Sequence, residues 1–97
     1  MNIHFEWDAA KAAANLRKHG IGFELAVLIF SDPLLVSHQD RIEGSEYRWQ
    51  SLGLVDGQLL LLVAHTVRDE HSVEIVRIIS ARRATRKEKR HYEQENG

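Results

Sequence analysis

Cysteine is absent from this 97-residue chain, which removes disulfides, thiolate zinc sites and a thiol nucleophile together. That suits a reducing compartment. Long apolar runs are also missing. No run is longer than Leu59 to Ala64, far below the ~20 residues a helix needs to cross a bilayer. The opening Met-Asn-Ile-His-Phe-Glu carries neither the basic nor the apolar block of a signal peptide, so a cytoplasmic protein without membrane contact is expected. Charge of one sign is not in excess either: the formal net charge is -1, and any affinity for nucleic acid has to come from a local patch. Six histidines fall in no recognised metal spacing, and there is no glycine-rich phosphate loop or serine elbow. The expectation is therefore a protein with no metal and no cofactor.

What is present is ordinary for a folded domain: 43% hydrophobic and 28% charged residues. A chain of this length should form one domain, residues 1–97, burying roughly 60% of the surface its unfolded form exposes. Ile3 to Trp7 reads as a short strand. Asp8 is a good N-cap for a helix from Ala9 to Lys18, stopped by Gly20, with Ala9, Ala13 and Leu16 on its packing face. Gly22 begins a second helix, in which Phe23, Ala26, Val27 and Phe30 repeat at i, i+3, i+4, i+7 and mark core. Asp32-Pro33 ends it. Leu34 to His38 reads as a short edge strand, and Tyr47 to Leu54 alternates. Asp56-Gly57 signals a hairpin into Leu59 to Thr66. Val67 to Ser72 reads as a charged connection into a central strand, Val73 to Ser80. Thr85 and Glu88 form a capping box for a last helix whose only large apolar residue is Tyr92, so weak packing is expected there. Segregated helices and antiparallel strands predict an α+β fold: a short N-terminal strand, two helices, about four further strands and a C-terminal helix.

The β-branched strand around Arg77 carries the chemical signal. A guanidinium is always charged, so within a strand it should face a carboxylate or receive an anion. From Arg77 to Arg90 there are seven basic residues, Arg77, Arg82, Arg83, Arg86, Lys87, Lys89 and Arg90, against the single acid Glu88. This run predicts phosphate or nucleic-acid contact, although a structural ion pair of Arg77 with Glu46 or Glu74 and a solvated helix face explain it about as well. Lys18 and His19 end the first helix, where cations also simply complement the helix dipole. His65 ends a strand and is a candidate base, but a lone histidine is more often packed.

Taken together, the residues resemble the BrnT family, the ribonuclease toxins of the BrnT and BrnA type II toxin-antitoxin systems, with a RelE-like fold. The resemblance begins at Phe5-Glu6-Trp7-Asp8 and runs through Lys11, Asn15, Leu16, Lys18-His19-Gly20-Ile21, Phe23-Glu24, Ala26, Phe30 and Asp32-Pro33. It resumes with Glu46, Arg48, Gly53, His65-Thr66, Arg68, Arg77-Ile78-Ile79-Ser80-Ala81-Arg82, Ala84-Thr85, Glu88 and Tyr92. It implies metal-independent cleavage of RNA that inhibits translation. It also implies neutralisation by a BrnA-like antitoxin in a 2:2 heterotetramer, with operator DNA bound only through the antitoxin. RNA supplies its own nucleophile, the 2′-hydroxyl, so the protein need only move protons and hold the phosphorane charge. On that reading Arg77 and Arg82 hold the phosphate with Arg68 and Arg48 beside them. Lys18, His19 and His65 are the proton-transfer candidates, and Arg48, Arg83, Arg86, Lys87, Lys89 and Arg90 bind RNA. The alternative is a catalytically degenerate toxin, or an RNA-binding module, acting as an antitoxin partner or co-repressor.

Overall fold

The structure is a computed structural model and describes residues 2–97. Strand β1 (Asn2–Glu6) leads into helix α1 (Ala9–His19), a short helix α2 (Phe23–Ala26) and a 3₁₀ segment (Val27–Ser31). Strands β2 (Val36–Glu43), β3 (Glu46–Val55), β4 (Leu59–Glu70) and β5 (Val73–Arg83) follow, then helix α3 (Arg86–Asn96). The five strands form one sheet in the order β1-β5-β4-β3-β2. Neighbours pair antiparallel except β1, which lies parallel against β5; the chain leaves β1 through α1 and α2 and enters β2 on the opposite edge. The α+β architecture is the expected one, with β5 flanked on both sides and β2 on an edge.

Asp8 caps α1 by accepting from the backbone N–H groups of Ala10 and Lys11, and Gly20 ends it at φ 71°, a left-handed conformation that favours glycine. The packing face differs from the alanine pattern. Ala9 and Ala13 are exposed and Leu16 is 54% exposed, while the buried residue is Asn15. Its amide donates to the Ala81 and Ile21 carbonyls and accepts from the Ala81 N–H. Hydrogen bonds to β5, rather than an apolar stripe, dock this helix.

The second expected helix is shorter than its pattern. After Ala26 it tightens to a 3₁₀ turn, and at three residues per turn the fully buried positions become Phe23, Ala26 and Ile29. Val27 and Phe30 pack at the margin of the core. The segment sits tightly on β3 at Gly53, where an added Cβ would lie 2.7 Å from Ile29 Cβ.

The charged stretch after Thr66 is strand, not connection. β4 continues to Glu70, and the turn is only His71-Ser72, both at positive φ. α3 also differs from expectation. Tyr92 is its one buried residue, but polar contacts tie the helix down along its length. Arg82 makes a bidentate pair with Glu88 at 2.8 and 2.9 Å, His91 meets His38 at 2.6 Å, and the Asn96 amide donates to the Leu34 carbonyl. The Tyr92 hydroxyl donates to Asp32 at 2.6 Å, and burial plus that carboxylate pushes the phenol up to about 12. Burial alone would raise the Asp32 carboxyl, but Tyr92 and the Leu54 and Leu34 N–H groups outweigh it and lower it.

Candidate active site on the charged face of the sheet

Side chains on a strand alternate between faces, so the strand register sorts the functional candidates. One face carries Phe23, Ile29 and the other helix-covered core residues. The opposite face carries a polar row running across all five strands, Glu6, Arg77, Thr66, Arg48 and Arg41, each directly paired with the next. Arg68 lies two residues beyond Thr66 on the same face.

Glu6 is the centre of this cluster. Its carboxylate accepts from Arg77 Nε at 3.1 Å and from Arg68 Nη1 and Nη2 at 3.1 and 3.3 Å. Arg68 also reaches Glu46 at 3.2 Å and Glu70 at 3.2 Å, and Arg77 Nη1 lies 4.0 Å from Glu46. The hydrogen bonds from Arg68 and then Arg77 overcome partial burial and hold the Glu6 carboxyl below the ordinary carboxylate range. The same bonds, Glu6 first, raise Arg68 further above the range in which it could lose its proton. On the outer strands Arg48 pairs with Glu43 at 3.1 Å, with Asp40 at 4.0 Å.

Beside this network, where β1 ends and α1 begins, a recess of about 380 Å³ is lined by Glu6, Trp7, Asp8, Lys11, Arg77, Ile78 and Ile79. It brings together an anionic carboxylate, a half-exposed guanidinium and a lysine in the first turn of α1. That set can accept a proton and hold an anion. Glu6 and Lys11 are the members that reading for basic runs and histidines misses. A single glutamate at the end of a strand has no local signal, and the parallel pairing of β1 with β5 is long-range.

The remaining candidates are not brought here. Lys18 and His19 close α1 roughly 10 Å beyond Lys11 along the helix axis, at 1.5 Å per residue. His65 occupies the other face of the sheet, 3% exposed, against the edge of Phe30 with its Nε2 2.7 Å from Ser51 Oγ. Burial pushes the imidazole down to about 4, opposed in part by the Thr66 backbone, so it is neutral at pH 7. Arg82 does share the face of Arg77, for a reason local spacing conceals. Five positions apart, the two would face opposite ways in a regular strand, but Ile79 is an extra residue between the pairs Ile78–His65 and Ser80–Ala64. Arg82 is nevertheless occupied by Glu88, each partner stabilising the other's charge. Arg83, Arg86 and Lys89 rim a separate groove of about 540 Å³ beneath α3, floored by Leu54, Leu59, Leu60 and Tyr92. Lys87 and Arg90 are exposed on the same helix.

The family model described as the ribonuclease toxin BrnT of a type II toxin-antitoxin system matches residues 7–88. The chain belongs to the BrnT family. No curated protein matches it. Among solved structures, the ribonuclease toxin BrnT of Brucella abortus, determined at 1.1 Å, is similar in fold at a TM-score of 0.58 and 20% identity, covering 89% of this chain and all of that one. Membership makes this a ribonuclease-toxin chain whose family works with an antitoxin.

Proposed function

We propose that this chain is an endoribonuclease toxin that cleaves RNA through its 2′-hydroxyl without a metal, with Glu6, Arg77, Arg68 and Lys11 as the working groups. Glu6 takes the 2′-proton. The 2′-oxygen then attacks phosphorus, the bond to the 5′-oxygen breaks, and the products are a 2′,3′-cyclic phosphate and a 5′-hydroxyl. Arg77 and Lys11 hold the charge that develops on the phosphorane, and Lys11 gives its proton to the departing 5′-oxygen. Arg68 keeps Glu6 in place, and Arg48 guides the strand toward it. The observation that carries this reading is the Glu6 carboxylate, bonded at once by Arg77 and Arg68 beside an open recess. An RNA phosphate that engages Arg77 removes one of the two cations that depress Glu6. Its basicity rises as substrate arrives, toward the range where a general base is most effective.

In the cell, cleavage of cytoplasmic RNA by such a toxin would inhibit translation. A BrnA-like antitoxin would neutralise it, in a 2:2 complex that meets operator DNA through the antitoxin alone. A second reading has one observation in its favour. In the free protein the cluster arginines, Arg41, Arg48, Arg68 and Arg77, all lie within 4.0 Å of carboxylates, the pattern of a stabilising ion network. A degenerate toxin serving only as antitoxin partner or co-repressor would look the same.

The test is cleavage of RNA by the purified protein in excess chelator. Arg77→Ala should remain folded and lose on the order of 10²-fold or more in rate, the usual effect of removing one preorganised donor. RNA with a 2′-deoxy substitution at the cut site should resist. Cleavage at the parental rate by Arg77→Ala, or a requirement for magnesium, would overturn the mechanism. No cleavage by the parent protein would favour the degenerate reading.

A further inference from the structure

At the end of the sheet that bears the arginine row, the opposite face is apolar and only half covered. The row next to Glu6–Arg77–Thr66–Arg48–Arg41 is Phe5, Val76, Val67, Tyr47 and Ile42, again directly paired across all five strands. Helices α1 and α2 and the 3₁₀ segment cover the other half of this face, and Phe30 marks their limit by packing on Phe5 and His65. Beyond it a groove of about 270 Å³ opens among Ile3, Phe30, Trp49, Val67, Glu74 and Val76. Ile3 is 48%, Tyr47 49% and Ile42 61% exposed, so three large side chains on one sheet face stand in water.

Among the described residues the charges on this rim are of one sign. Asp69 and Glu74 face each other directly across β4 and β5, an arrangement that repels, and neither forms an ion pair among the described residues. Exposed apolar side chains and acids without cationic partners among the described residues coincide at one place.

We infer that this groove, on the face opposite the arginine row, is where the antitoxin docks, through an amphipathic segment that inserts apolar side chains beside Val67 and presents Lys or Arg to Asp69 and Glu74. The inference rests on the toxin reading above and adds the surface and the chemistry of the partner segment. Its occupant is anchored behind the sheet, so neutralisation requires the antitoxin to continue round a sheet edge to reach Glu6 and Arg77. Binding and inhibition are then separable by mutation.

The experiment uses the full chain and the product of the reading frame adjacent to its gene, measuring affinity by titration and RNA cleavage by the toxin alone. Ile3→Glu and the double change Asp69→Lys, Glu74→Lys should each weaken the complex at least tenfold, the second mainly at low salt. Both should cleave RNA at the parental rate and melt like the parent. Leu28→Glu, an exposed apolar site elsewhere (43% exposed), should bind normally. If both groove variants that melt normally bind at the parental affinity, the groove is not the docking site while the toxin reading stands. If the parent neither cleaves RNA nor binds that product, the toxin reading fails and the groove assignment falls with it.

Discussion

Glu6, at the end of edge strand β1, and His65, in the middle of β4, are both titratable groups, and their surroundings drive them in opposite directions. Two arginines keep Glu6 charged, whereas burial keeps His65 neutral. The Glu6→Gln variant retains shape and hydrogen-bonding capacity but cannot take a proton. It should lose at least about 10²-fold in the rate of RNA cleavage while binding RNA as well as the parent, and an unchanged rate would remove Glu6 from the mechanism. His65 is read through stability instead. Its folded pKa near 4 lies below the value it has in the unfolded chain, so below about pH 6.5 the unfolded state binds the extra proton. Stability should then fall by up to about 1.4 kcal/mol per pH unit between pH 6.5 and 4.5. Urea midpoints measured across that window for the parent and His65→Gln should converge as pH falls. Parallel pH profiles would show that the imidazole is not buried neutral. The carboxyls with lowered values, Glu6, Asp32 and Glu88, lose their contribution at lower pH, progressively from the ordinary carboxylate range down through their lowered folded values.

Among the elements, α3 and the 3₁₀ segment show how small contacts fix position. α3 buries almost nothing apolar, yet Tyr92 bonds an anionic Asp32 that also holds the Leu34 and Leu54 N–H groups. That carboxylate joins α3 to the start of β2 and to β3. Tyr92→Phe keeps the ring and deletes only the hydroxyl. It should cost about 2 kcal/mol, the range for a hydrogen bond to a charged group, measured by chemical denaturation. A loss below ~0.5 kcal/mol would mean that the helix is held by its other contacts. At Gly53 the reason is space rather than backbone freedom. Gly53→Ala would push Ile29 off β3, and overpacking of this kind costs typically about 1–3 kcal/mol. An alanine variant as stable as the parent would show that the 3₁₀ segment can shift.

For the whole molecule, the balance of charge matters more than its total. A net charge of -1 gives little long-range attraction for RNA, but the first turns of α3 gather Arg86, Lys87, Lys89 and Arg90 against the single acid Glu88, a local basic patch. Neutralising Arg86, Lys87, Lys89 and Arg90 together should flatten the salt dependence of RNA affinity by about three units of log K against log salt, at roughly 0.7 per phosphate contact for a single strand. An unchanged slope in a titration series would show that α3 does not touch RNA.

The sequence by itself determined the helix ends, most of the strands and the chemistry available to them, but not the 3₁₀ turn after Ala26 or the extension of β4 to Glu70. Asp8, Gly20, Thr85 and Glu88 mark helix ends through local hydrogen bonding and local backbone geometry. Strand alternation put Ser51 and Trp49 on one face. The β-branched run around Arg77 announced an interior strand, because these signals act within a few residues. The grouping of the candidate site was decided by tertiary structure. Glu6 meets Arg77 only because β1 lies parallel to β5, and Arg82 shares their face only because Ile79 is an extra residue in β5. His65 is removed from them because the sheet stands between. Such relations depend on register and on pairings some seventy positions apart in the chain (Glu6 with Arg77), and no periodicity within one segment encodes which carboxylate a distant arginine will find.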